Sequence, residues 1–326
     1  MNGVETYNNN YRKKIDNVLE KNSDLNLRGF VNFIHNSSLS TRYNYLNYIV
    51  KFRRYVKRSV DELTIDDYTE YICTLENSTP SYQIAVYSAL KLYSSYLVAR
   101  NISKVDYMLN IPRPKFRESQ KTIIKRENAY LDEEEVKMYL ANVKSGVNKD
   151  TNAYKHKDWE SRDMLITQIF LNTGIRCSAL YKLDVDSIDF DKKTLIVTDK
   201  GGYTNEYIMS DGVLDLARRW LHDRSAKGVS KNEKALFISS RLGRMHVNSI
   251  SNVVSKYAKG VKKISFSPHK LRATYGTQLY DKTKDIYLVQ QCMGHSSPKT
   301  SELYVRGQKN SSRERAADIM AEITNI

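Results

Sequence analysis

The sequence predicts a mainly α-helical protein with a small antiparallel β-sheet, divided into two domains. Three observations predict this fold class. From residue 25 to about 110, apolar residues recur at helical spacing. Residues 187–209 instead hold short segments rich in β-branched residues around the hairpin signal Lys200-Gly201-Gly202. A proline-bounded basic stretch from residue 113 separates the two regions, and 326 residues suffice for two cores.

The first region is expected to form an all-helical domain over residues 25–112. Residues 1–24 are polar and rich in Asn and Lys, so we expect an N-terminal extension, an arm or a frayed segment. Capping and breaking residues then delimit the helices. We expect them from Leu25 to the Asn36-Ser37-Ser38 break, from Leu39 to Arg58, from Thr64 to about Leu75, and from Pro80 to about Arg100.

Basic residues concentrate on the helix predicted over residues 39–58 and on the linker predicted over residues 113–128. The helix carries no acid, and its basic residues are Arg42, Lys51, Arg53, Arg54, Lys57 and Arg58. A solvated face and a DNA-facing surface both fit this pattern, and the lack of acids favours DNA. The linker is either a flexible tether or a segment that follows a phosphate backbone. The candidate DNA contacts are Arg42, Lys51, Arg53, Arg54, Arg113, Lys115 and Arg117.

The second region, residues 129–311, is expected to form a mixed α+β domain. Helices are predicted at about 131–144, 159–172, 212–226, 246–260, 268–281 and 285–293. Strands are predicted at Ser187–Phe190, Thr194–Thr198 and Tyr203–Met209, with a short separate strand at Ala235–Ile238. Residues 312–326 predict an amphipathic terminal helix, which docks either on its own domain or on a neighbouring protomer.

Charge and cysteine usage narrow the classes of function. The chain has 52 Lys+Arg against 37 Asp+Glu, a formal charge of +15, which favours nucleic acid or an anionic membrane as partner. No run of 18 apolar residues occurs, so membrane attachment is the weaker interpretation. Three widely spaced cysteines without C-x-x-C spacing argue for a reducing, cytoplasmic setting. The absence of metal-binding and Walker motifs predicts no cofactor.

Groups suited to phosphate chemistry cluster in residues 267–307. His269 and Arg272 lie three residues apart, on one face of a predicted helix, and Gly294-His295 and Tyr304 follow. Phosphodiester cleavage without a metal needs fixed positive charge at the nonbridging oxygens, a proton for the leaving oxygen and a nucleophile. Guanidinium groups suit the first task, and Arg176 and Arg272 are candidates for it.

These residues, in this order, resemble the tyrosine recombinase (phage integrase) family. The resemblance covers about residues 130–305, and the helical first domain looks like the family's core-binding (SAM-like) domain. The fold implied is a clamp of both domains around DNA. The matching motifs are Thr173-Gly174-Ile175-Arg176, Lys200 before Gly201-Gly202, His269-Lys270-Leu271-Arg272, Gly294-His295, and Thr300 through Tyr304.

The resemblance implies a role for each of these residues. Arg176 and Arg272 would clamp the scissile phosphate, Lys200 would protonate the leaving 5′ oxygen, and Tyr304 would attack phosphorus. His269 would assist proton transfer, and His295 would donate a hydrogen bond to the phosphate. Rival candidates are Lys192 and Lys193 for the acid and Tyr275, Tyr280 and Tyr287, which lie inside predicted helices and are expected to be packed, for the nucleophile.

The chain departs from the family pattern at two positions. Ala179 stands where the family commonly has an acid, and Ala273 where it commonly has a histidine. The function implied is site-specific recombination of double-stranded DNA by a tetramer, with an accessory directionality factor, in integration or excision of a mobile element or in dimer resolution. Two alternatives are a type IB topoisomerase-like nicking-closing enzyme and a non-cleaving DNA-binding protein of the same fold.

Overall fold

The computed structural model describes residues 2–22, 24–115, 130–146, 158–198, 204–261 and 266–294. The chain divides into two compact units, Val4–Ser119 and Gln120–Ile326, and Met1–Gly3 groups with the second. The described elements are mostly helices, with one small antiparallel sheet, which confirms the predicted fold class. None of the helices in the described ranges has the length and apolar character needed to cross a membrane.

The first unit is built from helices packed on one aromatic-rich core. Phe30, Phe52, Tyr68 and Tyr93 are fully buried there, and Phe30 meets Tyr93 edge to face at 5.3 Å. Capping residues start the helices as the sequence predicts. The described helices are α1 (Gly3–Glu20), α2 (Leu25–Phe33), α3 (Leu39–Val56), α4 (Ile65–Cys73) and α5 (Pro80–Ala99), followed by a 3-10 turn (Tyr107–Leu109).

Helix α1 lies where we expected an irregular arm, so that expectation is wrong. Its Asn-rich sequence has low intrinsic helix propensity, which is why the local pattern did not reveal the helix. Ile15 is buried in the core of the first unit, and Val18 and Leu19 pack against that core. Tyr11 also meets Tyr43 of α3 with ring centroids 6.0 Å apart. Tertiary packing therefore stabilises a segment whose composition alone disfavours a helix.

The second unit places its helices around a small sheet. Strand β2 (Thr194–Thr198) pairs antiparallel with β1 (Ile188–Asp189) and β3 (Thr204–Ile208), giving the order β1-β2-β3. The β2–β3 register ends at the pair Thr198↔Thr204. The described helices are α6 (Glu133–Ser145), α7 (Glu160–Thr173), α8 (Cys177–Lys182), α9 (Asp211–Ala226), α10 (Val247–Tyr257), α11 (Pro268–Thr283) and α12 (Ile286–Met293), with a 3-10 turn at Val185–Ser187.

One element of the second unit was not predicted and one local prediction is wrong. Cys177–Lys182 forms a helix, α8, in a segment for which no element was predicted. Residues 235–238 form only isolated bridges rather than a strand. Backbone and side-chain groups share the hydrogen bonds of this segment: the Leu236 N–H donates to the Leu183 carbonyl at 3.0 Å. The Trp220 indole N–H and the Arg162 guanidinium donate to the carbonyls of residues 236 and 238 at 2.8 and 2.9 Å.

Helix α11 is anchored to the start of α6 by two buried or half-buried hydrogen bonds. The Leu131 N–H donates to Thr274 Oγ1 at 2.9 Å, and Gln278 Nε2 donates to the Leu131 carbonyl at 3.2 Å. The first turn of α11 carries His269. These bonds fix the rotation of α11 and therefore the direction in which that turn faces. The predicted linker beyond residue 115 and the predicted terminal helix at 312–326 lie outside the described residues.

Candidate active site

The turn between α7 and α8 positions Arg176. Helix α7 ends at Gly174, which adopts a left-handed conformation with φ of +60° and donates its N–H to the Phe170 carbonyl at 3.0 Å. A Cβ atom at this position would lie 2.4 Å from Tyr275 Cδ1 of α11. Only glycine therefore fits both the backbone conformation and the close approach of α11. Arg176 follows two residues later as the N-cap of α8 and is half-buried.

Arg272 is buried inside the second unit and binds two helix ends. Only 3% of the residue is exposed. Its Nη1 donates to the Gly174 carbonyl and its Nη2 donates to the Met293 carbonyl at 2.6 Å. Gly174 precedes Arg176 by two residues, and Met293 precedes His295 by two residues. One guanidinium therefore joins the two segments that carry other predicted site residues, using fork geometry that suits paired oxygen acceptors.

His269 lies in the field of both predicted phosphate-binding arginines. It occupies the first turn of α11, which Pro268 opens. The pKa of His269 is lowered from its ordinary value, first because surrounding protein removes water from the ring, and then because Arg272 and Arg176 are positive charges nearby. The neutral imidazole is therefore favoured, and a neutral imidazole can accept a proton. The structure brings Arg176, His269 and Arg272 together in one electrostatic environment.

The other three predicted catalytic residues, Lys200, His295 and Tyr304, lie outside the described residues. Lys200 falls between β2 and β3, directly after the Thr198↔Thr204 pair. His295 follows Gly294, the left-handed C-cap of α12, which has φ of +59°. The α12 N-terminus is capped by Asp285, whose Oδ1 accepts from the Tyr287 N–H at 2.8 Å.

The structure describes the surroundings of the lysines that rival Lys200 as general acid and of the tyrosines that rival Tyr304 as nucleophile. Lys193 pairs with Asp211 at 2.7 Å and Lys192 with Asp189 at 3.8 Å, as expected for an ordinary solvated turn. Tyr275 packs against Gly174, and burial raises its pKa, which disfavours the phenolate. Tyr287, however, is 69% exposed, so our expectation that it is packed is wrong. It lies on the outer face of α12, whose inner face is formed by Val289 and Met293.

The two departures from the family pattern differ in burial. Ala179 is 2% exposed in α8, so the position where the family commonly has an acid is closed to solvent. Ala273, which follows Arg272 in α11, is half-buried. Apolar packing therefore supports this part of α8.

The predicted DNA contacts of the first unit fall into two groups. Arg42 and Arg53 bind their own unit: Arg42 Nε donates to the Ser37 carbonyl at 2.9 Å, and Arg53 Nη2 to the Arg58 carbonyl at 2.7 Å. Both side chains are half-buried. The second group is exposed and comprises Lys51, Arg54, Arg113 and Lys115, of which Lys51 and Arg54 also donate to Tyr82 and Asn22 of the same unit at 3.2 Å. Arg117 lies outside the described residues.

The sequence did not reveal the backbone acceptors of Arg272 or the fit between Gly174 and Tyr275. Carbonyl groups carry no residue-type signal, so the Gly174 and Met293 oxygens could not be read from the pattern. The glycine in Thr173-Gly174 signalled a helix end but not its contact with a helix about one hundred residues later. The pocket beside Arg53 in the first unit was also missed, because it depends on the packing of α1, α2 and α3.

The structure is mainly helical with a small antiparallel sheet, and its second unit brings Arg176, His269 and Arg272 together. Comparison with known proteins identifies the family that has this fold and these motifs. Residues 129–311 match the model described as "Phage integrase family". The chain therefore belongs to the phage integrase family of tyrosine-type site-specific recombinases, as its motifs predicted.

Individual relatives share this family at moderate identity. Tyrosine recombinase XerC of Alcanivorax borkumensis is 27% identical over 248 residues, which cover 75% of each chain. Tyrosine recombinase XerS of Streptococcus thermophilus is 32% identical over 188 residues, covering 55% of this chain and 52% of the relative.

Solved structures support the fold at lower identity. The XerH site-specific recombinase bound to palindromic difH substrate is 20% identical, with a TM-score of 0.66 over 86% of this chain and 79% of that one. Lambda integrase (residues 75–356) bound to DNA is 14% identical, with a TM-score of 0.58 over 83% of this chain and 91% of that one.

Proposed function

We propose that this protein is a recombinase that cleaves and rejoins double-stranded DNA at a specific site through a 3′-phosphotyrosyl intermediate. Neither a metal ion nor ATP takes part. Two DNA sites are held by a tetramer in the cytoplasm, and strands are exchanged through a Holliday junction. The biological outcome is integration or excision of a mobile element, directed by an accessory factor, or resolution of dimers.

The observation that carries this proposal is the placement of Arg272. Its guanidinium binds the Gly174 and Met293 carbonyls, which lie two residues from Arg176 and His295 in the chain. The segments of the motif, far apart in sequence, therefore converge on one buried cation. A buried guanidinium in this position provides fixed positive charge without reorganisation during the reaction. This convergence supports the assignment of Arg176 and Arg272 to the scissile phosphate.

The chemistry balances with the residues of this chain. The Tyr304 phenol loses its proton and its oxygen attacks phosphorus, so a phosphotyrosyl bond forms at the 3′ side while the bond to the 5′ oxygen breaks. Arg176 and Arg272 neutralise the charge that grows on the nonbridging oxygens, and His295 donates a hydrogen bond to one of them. Lys200 gives the proton to the leaving 5′ oxygen, and neutral His269 accepts and returns protons.

Ligation reverses these steps. The 5′ hydroxyl of the partner strand attacks the phosphotyrosyl phosphorus and releases Tyr304. Because the covalent link conserves the phosphodiester bond energy, no ATP is required. The same first step would serve a nicking-closing enzyme, and the two functions differ in whether strands are exchanged between two sites.

The proposal predicts that Tyr304→Phe abolishes covalent attachment to DNA while site binding persists, because the attacking oxygen is removed and the rest of the ring is kept. In a duplex nicked next to the cleavage site, the short fragment that carries the free 5′ hydroxyl diffuses away after cleavage, so religation cannot occur. The trapped covalent adduct is then detected on denaturing gels. The matched control is Tyr287→Phe, since Tyr287 is the exposed rival phenol. Trapping by the Tyr304→Phe variant, or its loss in the Tyr287→Phe variant, would overturn the assignment.

A second readout separates recombination from nicking-closing. A plasmid with two target sites should give recombinant products that depend on Tyr304. Relaxation of supercoils at a single site, without recombinants from paired sites, would favour the topoisomerase-like alternative.

A further inference from the structure

A pocket in the first unit lies beside the C-terminal end of α3. It has a volume of about 300 Å³, and its lining includes Lys21, Asn22, Asp24, Arg53 and Arg54, closed on one side by the apolar residues Leu27 and Val50. Three cations therefore face one carboxylate. The excess of positive charge favours an anion as occupant.

Arg53 provides the main evidence that the pocket is built to hold something. Its side chain is only 15% exposed, and its Nε and Nη1 atoms are buried without a hydrogen-bond partner in the described protein. Asp24 Oδ2 lies 3.5 Å from Arg53 Nε, an ion pair without hydrogen-bond geometry. Asp24 Oδ1 is already engaged, because it accepts from the Asn26 N–H at 2.9 Å. A buried donor without an acceptor is unfavourable, so a ligand acceptor there would stabilise the site.

A second buried donor belongs to the same neighbourhood. Tyr93 is fully buried, and its hydroxyl also lacks a hydrogen-bond partner within the described residues. Burial raises the pKa of Tyr93, and the charges that act on it most strongly are those of Arg53 and Asp24. Tyr93 therefore feels the charges of Arg53 and Asp24, although it is not among the residues that line the pocket.

The chemistry of the groups identifies the class of ligand. The Arg53 Nε and Nη1 groups both donate, so the occupant must accept more than one hydrogen bond. A tetrahedral oxyanion does so, and the arginine fork matches its oxygen atoms. Arg54 and Lys21 stand at the mouth, where Arg54 Nη2 already holds Asn22 Oδ1 at 3.2 Å. Exposed cations at the mouth attract an anion towards the buried donors.

We propose that this pocket is a binding site for a phosphate-class oxyanion, held by Arg53 with Arg54 and Lys21 at its mouth. A phosphate of the DNA backbone and a free phosphate group share this chemistry. The site lies in the first unit and involves none of the residues assigned to cleavage, so it is independent of the proposed reaction.

The first experiment follows the Nε–Hε resonance of Arg53 by NMR in the intact chain without DNA. The resonance is assigned to Arg53 because it is absent from the spectrum of the Arg53→Lys variant. We expect a saturable shift on addition of inorganic phosphate, and none with chloride at equal ionic strength. The double variant Lys21→Gln/Arg54→Gln should retain the fold and weaken phosphate affinity about tenfold or more. A matched control, Lys104→Gln, removes an exposed charge from the same unit and should leave the affinity unchanged.

Thermal unfolding compares the wild-type chain and one variant in two anions. In chloride, Arg53→Met should lower stability, because it removes the ion pair with Asp24 and the bond from Nη2 to the Arg58 carbonyl. In phosphate, the wild-type chain should gain stability by mass action, and Arg53→Met should lose most of that gain. The catalytic arginines also attract phosphate, so the gain is measured in an Arg176→Gln background.

The sources of the oxyanion are separated by adding a target-site duplex. If the DNA backbone occupies the pocket, the duplex shifts the Arg53 resonance and abolishes its response to phosphate. If a free phosphate group is the ligand, the response to phosphate persists on DNA. An Arg53 resonance that is insensitive to phosphate and to duplex, or that shifts equally with chloride, means that water alone fills the pocket and overturns the proposal.

Discussion

At the scale of single residues, the site depends on groups whose surroundings allow one conformation or one charge state. Gly174 shows the first kind, because a left-handed backbone and the Tyr275 ring both exclude a side chain. His269 shows the second, because burial first and then the nearby arginines lower its pKa and disfavour its protonated form. A single substitution can test the steric restriction at Gly174, and another can test the effect of a neighbouring charge on the pKa of His269.

Gly174→Ala should destabilise the protein by roughly 2–4 kcal/mol, about 1 kcal/mol for the left-handed backbone and the rest for the clash with Tyr275. Gly228→Ala is the matched control, since Gly228 has φ of +73° and open space around it. It should cost only about 1 kcal/mol. Urea denaturation measures both. Equal losses would mean that the clash relaxes and that the close approach of α11 is not restrictive.

The pKa of His269, followed through its ring protons by NMR, should lie below the ordinary value near 6.5. It should rise in Arg176→Gln, because one of the positive charges that depress it is removed. As the pH falls through about 6.5, His269 is protonated in the unfolded chain before it is protonated in the folded chain. The free energy of unfolding therefore decreases as the pH falls below that value. An unchanged pKa in Arg176→Gln would show that Arg176 does not contribute and would leave burial and Arg272 as the causes.

At the scale of elements, the β2–β3 hairpin has a defined register up to Thr198, two residues before Lys200 in the chain. Antiparallel pairing from Thr194↔Ile208 to Thr198↔Thr204 directs the connection to one end of the sheet. The neighbouring lysines of the β1–β2 turn are held by Asp189 and Asp211. The connections on either side of β2 thus offer one candidate acid, Lys200, and two control residues, Lys192 and Lys193.

Lys200→Ala should slow cleavage by two or more orders of magnitude, since general acids typically contribute about 10²–10⁴-fold. A substrate with sulfur in place of the bridging 5′ oxygen should restore the rate, because a thiolate leaves without a proton. Lys192→Ala and Lys193→Ala serve as controls and should cleave both substrates at wild-type rates. The proton donor would be a residue other than Lys200 if the sulfur substrate did not restore cleavage by Lys200→Ala. The same would follow if Lys192→Ala or Lys193→Ala cleaved slowly and the sulfur substrate restored its rate.

The sequence was most informative where elements are long and their ends carry caps. Helices α3, α5 and α7 begin and end within a few residues of the predicted positions, because Ser38, Thr79-Pro80 and Gly174 are local signals. It was least informative where distant contacts decide. Helix α1 needs the core of the first unit, and residues 235–238 bond to groups elsewhere in the chain, such as the Leu183 carbonyl and the Arg162 guanidinium. The acceptors of Arg272 are backbone atoms, which no residue pattern encodes.

At the scale of the whole molecule, the proposed reaction requires several protomers to act on paired DNA sites. The amphipathic pattern of residues 312–326, after the proposed nucleophile, is the feature of the sequence suited to couple them. A helix exchanged between protomers would link assembly to the position of Tyr304.

Deletion of residues 312–326 should therefore weaken assembly on two paired sites more than binding to one site. Gel-shift titrations with one-site and two-site duplexes measure both. The control is a chain in which Ala316, Ile319 and Ile323 are replaced by Ser, which keeps the length and removes the apolar face. Equal losses on both duplexes would place the helix on its own protomer.

The bonds of Arg272 also set the order in which the protein matures on the ribosome. The residue lies 98 positions after Gly174 and 21 positions before Met293, so its two acceptors are synthesised far apart in time. Domains fold largely as units during synthesis, and this unit cannot close around Arg272 until Met293 has emerged. A nascent chain therefore carries Arg176 and Arg272 before both bonds that hold Arg272 can form.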